Sequence, residues 1–186
     1  MIAGLYDKFK DWSAKGSIYI ISDLHFDDID CKLMDKNWIT PEEHIKIISS
    51  CAHKNDTLIV LGDIGNPIYL SKVKSRKILI KGNHDTGSSN YKEYFDEIYE
   101  GPLFIAEKIL LSHEPISDLD FCLNIHGHNH NGTMHEDPYH INVASNVCNY
   151  KPISLGEIIK KGCLSHIQTI HRETINKATE TKKRKN

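Results

Sequence analysis

Five times along this chain an apolar run stops at a residue able to bind a metal, and that repetition constrains the fold more than any compositional figure. "IYIISDLHF" breaks at Asp23 and His25, "LIVLGDIGN" at Gly62-Asp63, and "KILIKGNHD" at Gly82, Asn83 and His84. Later, "KILLSHEP" ends at Ser112-His113, and "LNIHGHNH" ends at Gly127-His128 with His130 two residues on. Short β-branched runs bounded in this way read as buried strands. In an open α/β sheet, the crevice beyond the carboxyl ends of the strands gathers side chains from distant positions. These ends are therefore expected to share one rim.

The strands are predicted over Ile18 to Ile21, Thr57 to Leu61 and Lys77 to Ile80, with later ones before His113, before Gly127 and in "HINVASNV". Between the first two, "TPEEHIKIISSCAHK" has Thr40 as N-cap, Pro41 at the first helical position and Glu43 three residues after the cap. That is a capping box ahead of apolar Ile45, Ile48 and Ala52 at helical spacing. "SSNYKEYFDEIY" reads as a short helix capped by Ser88 or Ser89, and Glu107-Lys108 as the turn of a tight hairpin. "SLGEIIKKG" reads as a helix with a Ser154/Glu157 capping box and Gly162 as its stop. Strands alternate with helices early and pair locally late, which predicts an α/β fold of two layers or a sandwich.

With 186 residues and 39% hydrophobic content, the chain is expected to form one domain, residues 1–165. Residues 166–186 read as a polar extension: a helix carrying Ile167, Ile170 and Ile175, then a disordered basic tail from Lys182 to Lys185. A net charge of -2 supplies no global field to attract nucleic acid or an anionic membrane. The five cysteines are scattered and never form a CxxC pair, which argues against a disulfide framework or a cysteine zinc site. "MIAGLYDKFKDW" carries charges where a signal peptide needs an apolar stretch, and no run approaches membrane-spanning length. A soluble cytoplasmic protein without an obligate protein partner is expected.

The polar set itself points to chemistry. Two carboxylates, one amide oxygen and several imidazoles make a nitrogen and oxygen environment suited to Mn, Fe or Zn. One ion would leave ligands over, whereas two ions with a shared carboxylate use the whole set, and Asp63 is the natural bridge. Two such ions, roughly 3.5 to 4 Å apart, can hold a phosphoryl group and activate a water. Gly62, Gly82 and Gly127 precede ligands directly, so that the backbone can turn sharply out of each strand and a substrate can approach closely.

The ordered set "SDLHF", "LGDIGN", "KGNHD", "LSHEP" and "HGHNH" resembles the calcineurin-like metallophosphoesterase superfamily, and "INVASNVCNYKPISLGEI" resembles the closing segment of its small bacterial and phage-type members. The resemblance runs from about Ile18 to the helix near Ile159. It implies a central β-sandwich flanked by α-helices, with two divalent ions, Mn or an Fe/Mn pair being favoured. It also implies that one ion takes Asp23, His25, Asp63 and His130, and the other Asp63, Asn83, His113 and His128. His84 then matches the residue that donates a proton to the leaving oxygen or binds phosphate, and Asp63 counts as catalytic through its bridging place. Histidine suits that role because its ordinary pKa lies near neutrality. Asp85 is expected to orient the turn.

In protein serine/threonine phosphatases the GD motif continues differently and the later motif ends in glutamate, whereas here Asn66 and Pro67 follow "GDIG" and Asp85 closes "GNHD". The resemblance therefore implies a phosphodiesterase working through a metal-activated water, with a phosphomonoesterase or protein phosphatase as the alternative. The substrate is a phosphoester, with nucleotides and nucleic acid among the options. A non-catalytic metal-binding scaffold would be expected to lose ligands, and a structural zinc module would carry closed four-ligand sites and a basic surface. His126 is assigned a packing or outer role, Arg76 and Lys81 are candidates to meet phosphate, and the pocket is expected from the loops Phe26 to Trp38 and Thr86 to Tyr91.

Overall fold

Strands β1 (Ile18–Ile21), β2 (Thr57–Val60) and β3 (Arg76–Ile80) lie parallel at the centre of a five-stranded sheet, each within a residue of its predicted limits. The computed structural model describes residues 5–85 and 91–183. The sheet is completed by β4 (Glu97–Tyr99), parallel to β3, and by β9 (Ile153–Ser154), antiparallel to β1. A second sheet holds β5 (Leu103–Ala106), β6 (Ile109–Leu111), β7 (Leu123–His126) and β8 (His140–Asn142), in that order. The predicted hairpin is the antiparallel pair β5 and β6, turning at Glu107-Lys108, while β6, β7 and β8 run parallel.

Two-residue periodicity sends alternate side chains of the first sheet to opposite faces. Ile18, Ile20, Ile59, Ile78 and Ile80 pack against Ile109, Leu111, Leu123, Ile125 and Ile141 of the second sheet. From the other face Ile21, Leu58, Val60 and Leu79 meet Ile45 and Ile48 of helix α3 (Pro41–Cys51) and Leu70 of the 3-10 helix Pro67–Lys72. Strands buried on both faces read as continuous apolar runs, which is why they were easy to find. The capping box of α3 is present as expected: Glu43 N–H donates to Thr40 Oγ1, and Thr40 N–H donates to Glu43 Oε2. Helix α1 (Leu5–Ser13), α2 (Cys31–Met34) and α4 (Leu155–Lys160) complete the flanks, and Trp12 of α1 and Ile158 of α4 enter the core between the sheets.

The two sheets are joined where the site will form. Ser22 bridges to Ala144, donating its N–H to Val143 O at 3.0 Å and accepting from Ser145 N–H at 3.0 Å. Strands β1 and β8 therefore end on one rim.

Three expectations are corrected. Glu97–Tyr99 is a strand, not the continuation of a helix: Tyr91 and Phe95 have helical spacing because one turn buries both rings, after which Asp96 ties the chain to β3 through its N–H to Lys77 O. Tertiary pairing here outweighs local periodicity. The Ser88 and Ser89 caps lie outside the described residues, as does most of the loop from Thr86. Ser154 does sit before α4, but its side chain makes no capping bond because the residue is already committed to β9. The last helix, α5 (Ile170–Lys183), begins after Ile167, which is buried in the core, while Ile175 is exposed. Residues 184–186, and with them part of the basic tail, lie outside the described residues.

Candidate metal centre

The rim brings together side chains spread over more than a hundred residues. Asp23, His25 and His130 form one group whose ligand atoms lie within 4.8 Å of one another, and Asp63, His113 and His128 form a second. Asn83 joins the second group, its Oδ1 lying 2.8 Å from His113 Nε2. All seven residues singled out as metal ligands therefore converge. Asp63 lies between the groups: its Oδ2 is 3.8 Å from His25 Nε2 and 3.4 Å from His113 Nε2, while its Oδ1 accepts from His84 N–H at 3.0 Å.

The backbone is bent to achieve this. Asp23, His25, Asp63 and His128 all have positive φ, between 42° and 69°, a region that costs non-glycine residues energy and persists only when the surroundings enforce it. Asp85 is the chief enforcer on one side. Its carboxylate accepts from the N–H groups of Asp63, Ile64 and Gly82, locking the turns after β2 and β3 together as the sequence reading expected of that residue. The glycines also make room for the turns and for the ligands themselves. Gly62 takes φ +88°, whereas a Cβ on Gly82 would lie 2.3 Å from Asp63 Oδ1, and one on Gly127 would lie 2.2 Å from Asp23 Oδ2. Two of the three glycines are thus small because a ligand carboxylate lies against them.

Three of the four ligand rings are aimed by a partner on their other nitrogen, as metal-binding histidines usually are. His25 Nδ1 faces Asp28 Oδ2 at 3.0 Å, and His113 Nδ1 faces Leu61 O at 2.7 Å. His130 Nδ1 faces Asn146 Oδ1 at 3.0 Å, while Asn146 Nδ2 donates back to His130 O at 2.8 Å. Asp28 and Asn146 were missed from the sequence. Asn146 lies within "HINVASNV", which shows only a strand pattern, and Asp28 is one of several aspartates in a polar loop.

Whether a divalent cation fits can be judged from the protein atoms. Asp23 is fully buried; its Oδ2 accepts from His128 N–H, yet Oδ1 has no hydrogen-bond partner, and neither does His25 Nε2. A buried carboxylate oxygen and an imidazole nitrogen facing one another without partners are costly unless a cation lies between them. With imidazole, carboxylate and amide donors and no thiol, the set fits a hard-to-borderline divalent ion.

The sequence profile of the calcineurin-like phosphoesterases matches residues 16–157. The chain belongs to that family. The calcineurin-like phosphoesterases are metal-dependent phosphoric ester hydrolases with a dinuclear divalent centre, and this chain has two candidate ligand groups where such a centre would lie. An uncharacterized protein of Methanocaldococcus jannaschii, MJ1445, is 31% identical over 171 residues, covering 77% of this chain and 89% of its own. The crystal structure of AQ665 from Aquifex aeolicus, a protein of unknown function, superposes with a TM-score of 0.64 at 29% identity, over 77% of this chain and 98% of that one. Nuclease MPE of Pseudomonas putida aligns with 63% of this chain and 62% of its own at 21% identity and a TM-score of 0.43.

The remaining histidines and cations separate cleanly. His84 is exposed at the rim, its ring 5.9 Å from that of His25. His126 is buried behind the site with Nδ1 on Gly127 O, and burial lowers its pKa. Arg76 pairs with Glu97 at the opposite end of the sheet, so it does not reach the rim. Lys81 does reach it, lining a cavity of about 330 Å³ with Asn83 and His113, and it is paired with Glu100 at 3.0 Å. A second cavity of about 630 Å³ opens beside His128 and His130, and a third of about 200 Å³ beside His25. Among the described residues, no helix is long and apolar enough to cross a membrane.

Proposed function

We propose that the protein is a phosphodiesterase in which Asp23, His25, Asp63 and His130 hold one divalent ion and Asp63, Asn83, His113 and His128 hold the other. The observation that carries the diester reading is the pair of cavities flanking the ligand groups, one beside Asn83 and His113 and one beside His128 and His130. A diester has two substituents to accommodate, and two separate grooves beside the ligands give each a place. A monoester phosphate carries more charge and needs more cations around it. Among the described residues lining both cavities, Lys81 is the one lysine or arginine, and Glu100 already neutralises it.

When bound, two such ions polarise the phosphoryl group and acidify a water. Asp63 keeps both ligand groups in register because one of its oxygens faces both and the other is fixed by the His84 N–H. The His84 ring is exposed and lies 5.9 Å from that of His25, which supports assigning it to give a proton to the departing oxygen. On this reading residues 1–165 contain all the chemistry, and 166–186 are an extension. Manganese, alone or with iron, is the favoured metal.

The test is hydrolysis of bis-p-nitrophenyl phosphate beside p-nitrophenyl phosphate by stripped protein with Mn²⁺ returned or withheld. Metal-dependent cleavage favouring the diester is expected, and His84→Ala should slow it by about 10²- to 10⁴-fold while both ions stay bound. Preference for the monoester would reassign the protein as a phosphatase, and no turnover with two ions bound would favour a scaffold.

A further inference from the structure

The larger cavity has walls of two kinds. On one side stand the ligands His128 and His130 with the amides of Asn129 and Asn131, and on the other stand Leu33 and Met34 of α2. Leu33 is 84% exposed and Ile29, four residues earlier and outside the groove lining, is 90% exposed, the two highest values among the exposed large apolar side chains of the described residues. Met34 is half-buried against Trp38 and Cys31, so the short helix is anchored on that cluster with Leu33 facing outward. An exposed apolar surface at the edge of a polar site marks a binding surface.

We infer that this groove holds the nucleobase of a nucleoside phosphoester; the inference rests on the phosphoesterase reading above and names the substrate class for it. The group attached to the phosphate must be flat or apolar on one face to cover Leu33 and Met34, and a thioether beside an aliphatic side chain packs well on an aromatic ring. It must also carry donors and acceptors at its edge, because Asn129 and Asn131 line the same space. Glu136 is the groove's one carboxylate. It repels a further phosphate but accepts from an exocyclic amine, as carboxylates do when they read a base edge. An acyl chain would leave the amides and Glu136 without partners, and a protein face seated here would cover the ligands His128 and His130.

Calorimetric titration of the metal-loaded full chain tests this, with adenosine 5′-monophosphate compared with ribose 5-phosphate and octyl phosphate. The adenosine compound should bind about tenfold more tightly than ribose 5-phosphate, the scale of one base-stacking contact. Leu33→Ser, an exposed position, should bring that ratio close to one while leaving ribose 5-phosphate affinity and bound metal unchanged. Equal binding of the two sugars, an unchanged ratio in Leu33→Ser, or tighter binding of octyl phosphate would each overturn the nucleobase assignment. Hydrolysis of bis-p-nitrophenyl phosphate by the same preparation separates the two readings. Turnover without a base preference sinks only this inference, whereas a base preference without turnover sinks the diesterase and leaves the groove.

Discussion

The two ligand groups meet at Asp63 yet are built differently. In the first, the nearest approaches to Asp23 Oδ1 are 3.5 Å from His130 Nε2 and 3.9 Å from His25 Nε2, too long for hydrogen bonds, and two of those atoms are buried without partners. In the second, His113 Nδ1 gives its proton to Leu61 O, so Nε2 presents a lone pair that can accept from His128 Nδ1 at 3.2 Å and that faces the Asn83 oxygen, a second acceptor, at 2.8 Å. The first group is propped open by Asp28 and Asn146, while the second is drawn together and includes the exposed His128 and Asn83. A cation entering the first supplies interactions that are otherwise missing, whereas one entering the second must also displace the His128 to His113 contact. The first group should therefore bind its ion more tightly and lose it last under a chelator.

The largest expected effect tests whether the groups are separate at all. Asp63→Asn removes the charge whose oxygen faces both, and it should cost both ions and more than about 10³-fold in turnover, beyond the scale of losing one electrostatic contact. Metal-to-protein ratios after gel filtration decide it. Retention of one tightly held ion would show the two groups to be independent and the shared oxygen incidental.

How far this could have been foreseen varies by residue. Asp23, His25, Asp63, Asn83, His113, His128 and His130 were legible because each ends or follows an apolar run, and strand ends on one sheet edge have few places to go. The two-sheet core was legible for the same reason. Glu97–Tyr99 was not, since a three-residue strand beside a buried Tyr91 and Phe95 has the local pattern of a helix turn. Asn146 and Asp28 were illegible in a stronger sense. Their importance lies in which ring nitrogen they face, and that relation exists only once β8 has been brought beside β1.

Those props carry the next prediction. Asn146→Ala frees His130 at both its ring and its carbonyl, and it should weaken the first ion about 10- to 100-fold, leaving the second within error. Asn146→Asp keeps an acceptor for the ring and should recover part of the loss in a two-site metal titration. Equal weakening of both ions would mean that the groups are not mechanically distinct.

The smallest effect separates an atom left bare for an ion from one left bare by packing. His44 Nε2 is also buried without a partner, but its ring lies among Phe26 and Tyr150 and belongs to neither ligand group, and burial lowers its pKa to about 4. An unfolded chain protonates this histidine near its ordinary value of about 6.5, before the folded one does. Its contribution to stability is therefore complete above that pH and is lost as the pH falls towards 4, on the order of 2 kcal/mol by pH 5. Urea titrations of wild type and His44→Leu at pH 7 and pH 5 isolate the term as the difference between their losses. That difference should be the same in metal-free and metal-loaded protein, because no ion serves His44. If loading the ions abolished it, His44 would belong to the first ligand group's surroundings, and the contrast between bare atoms that await a cation and bare atoms that do not would fail.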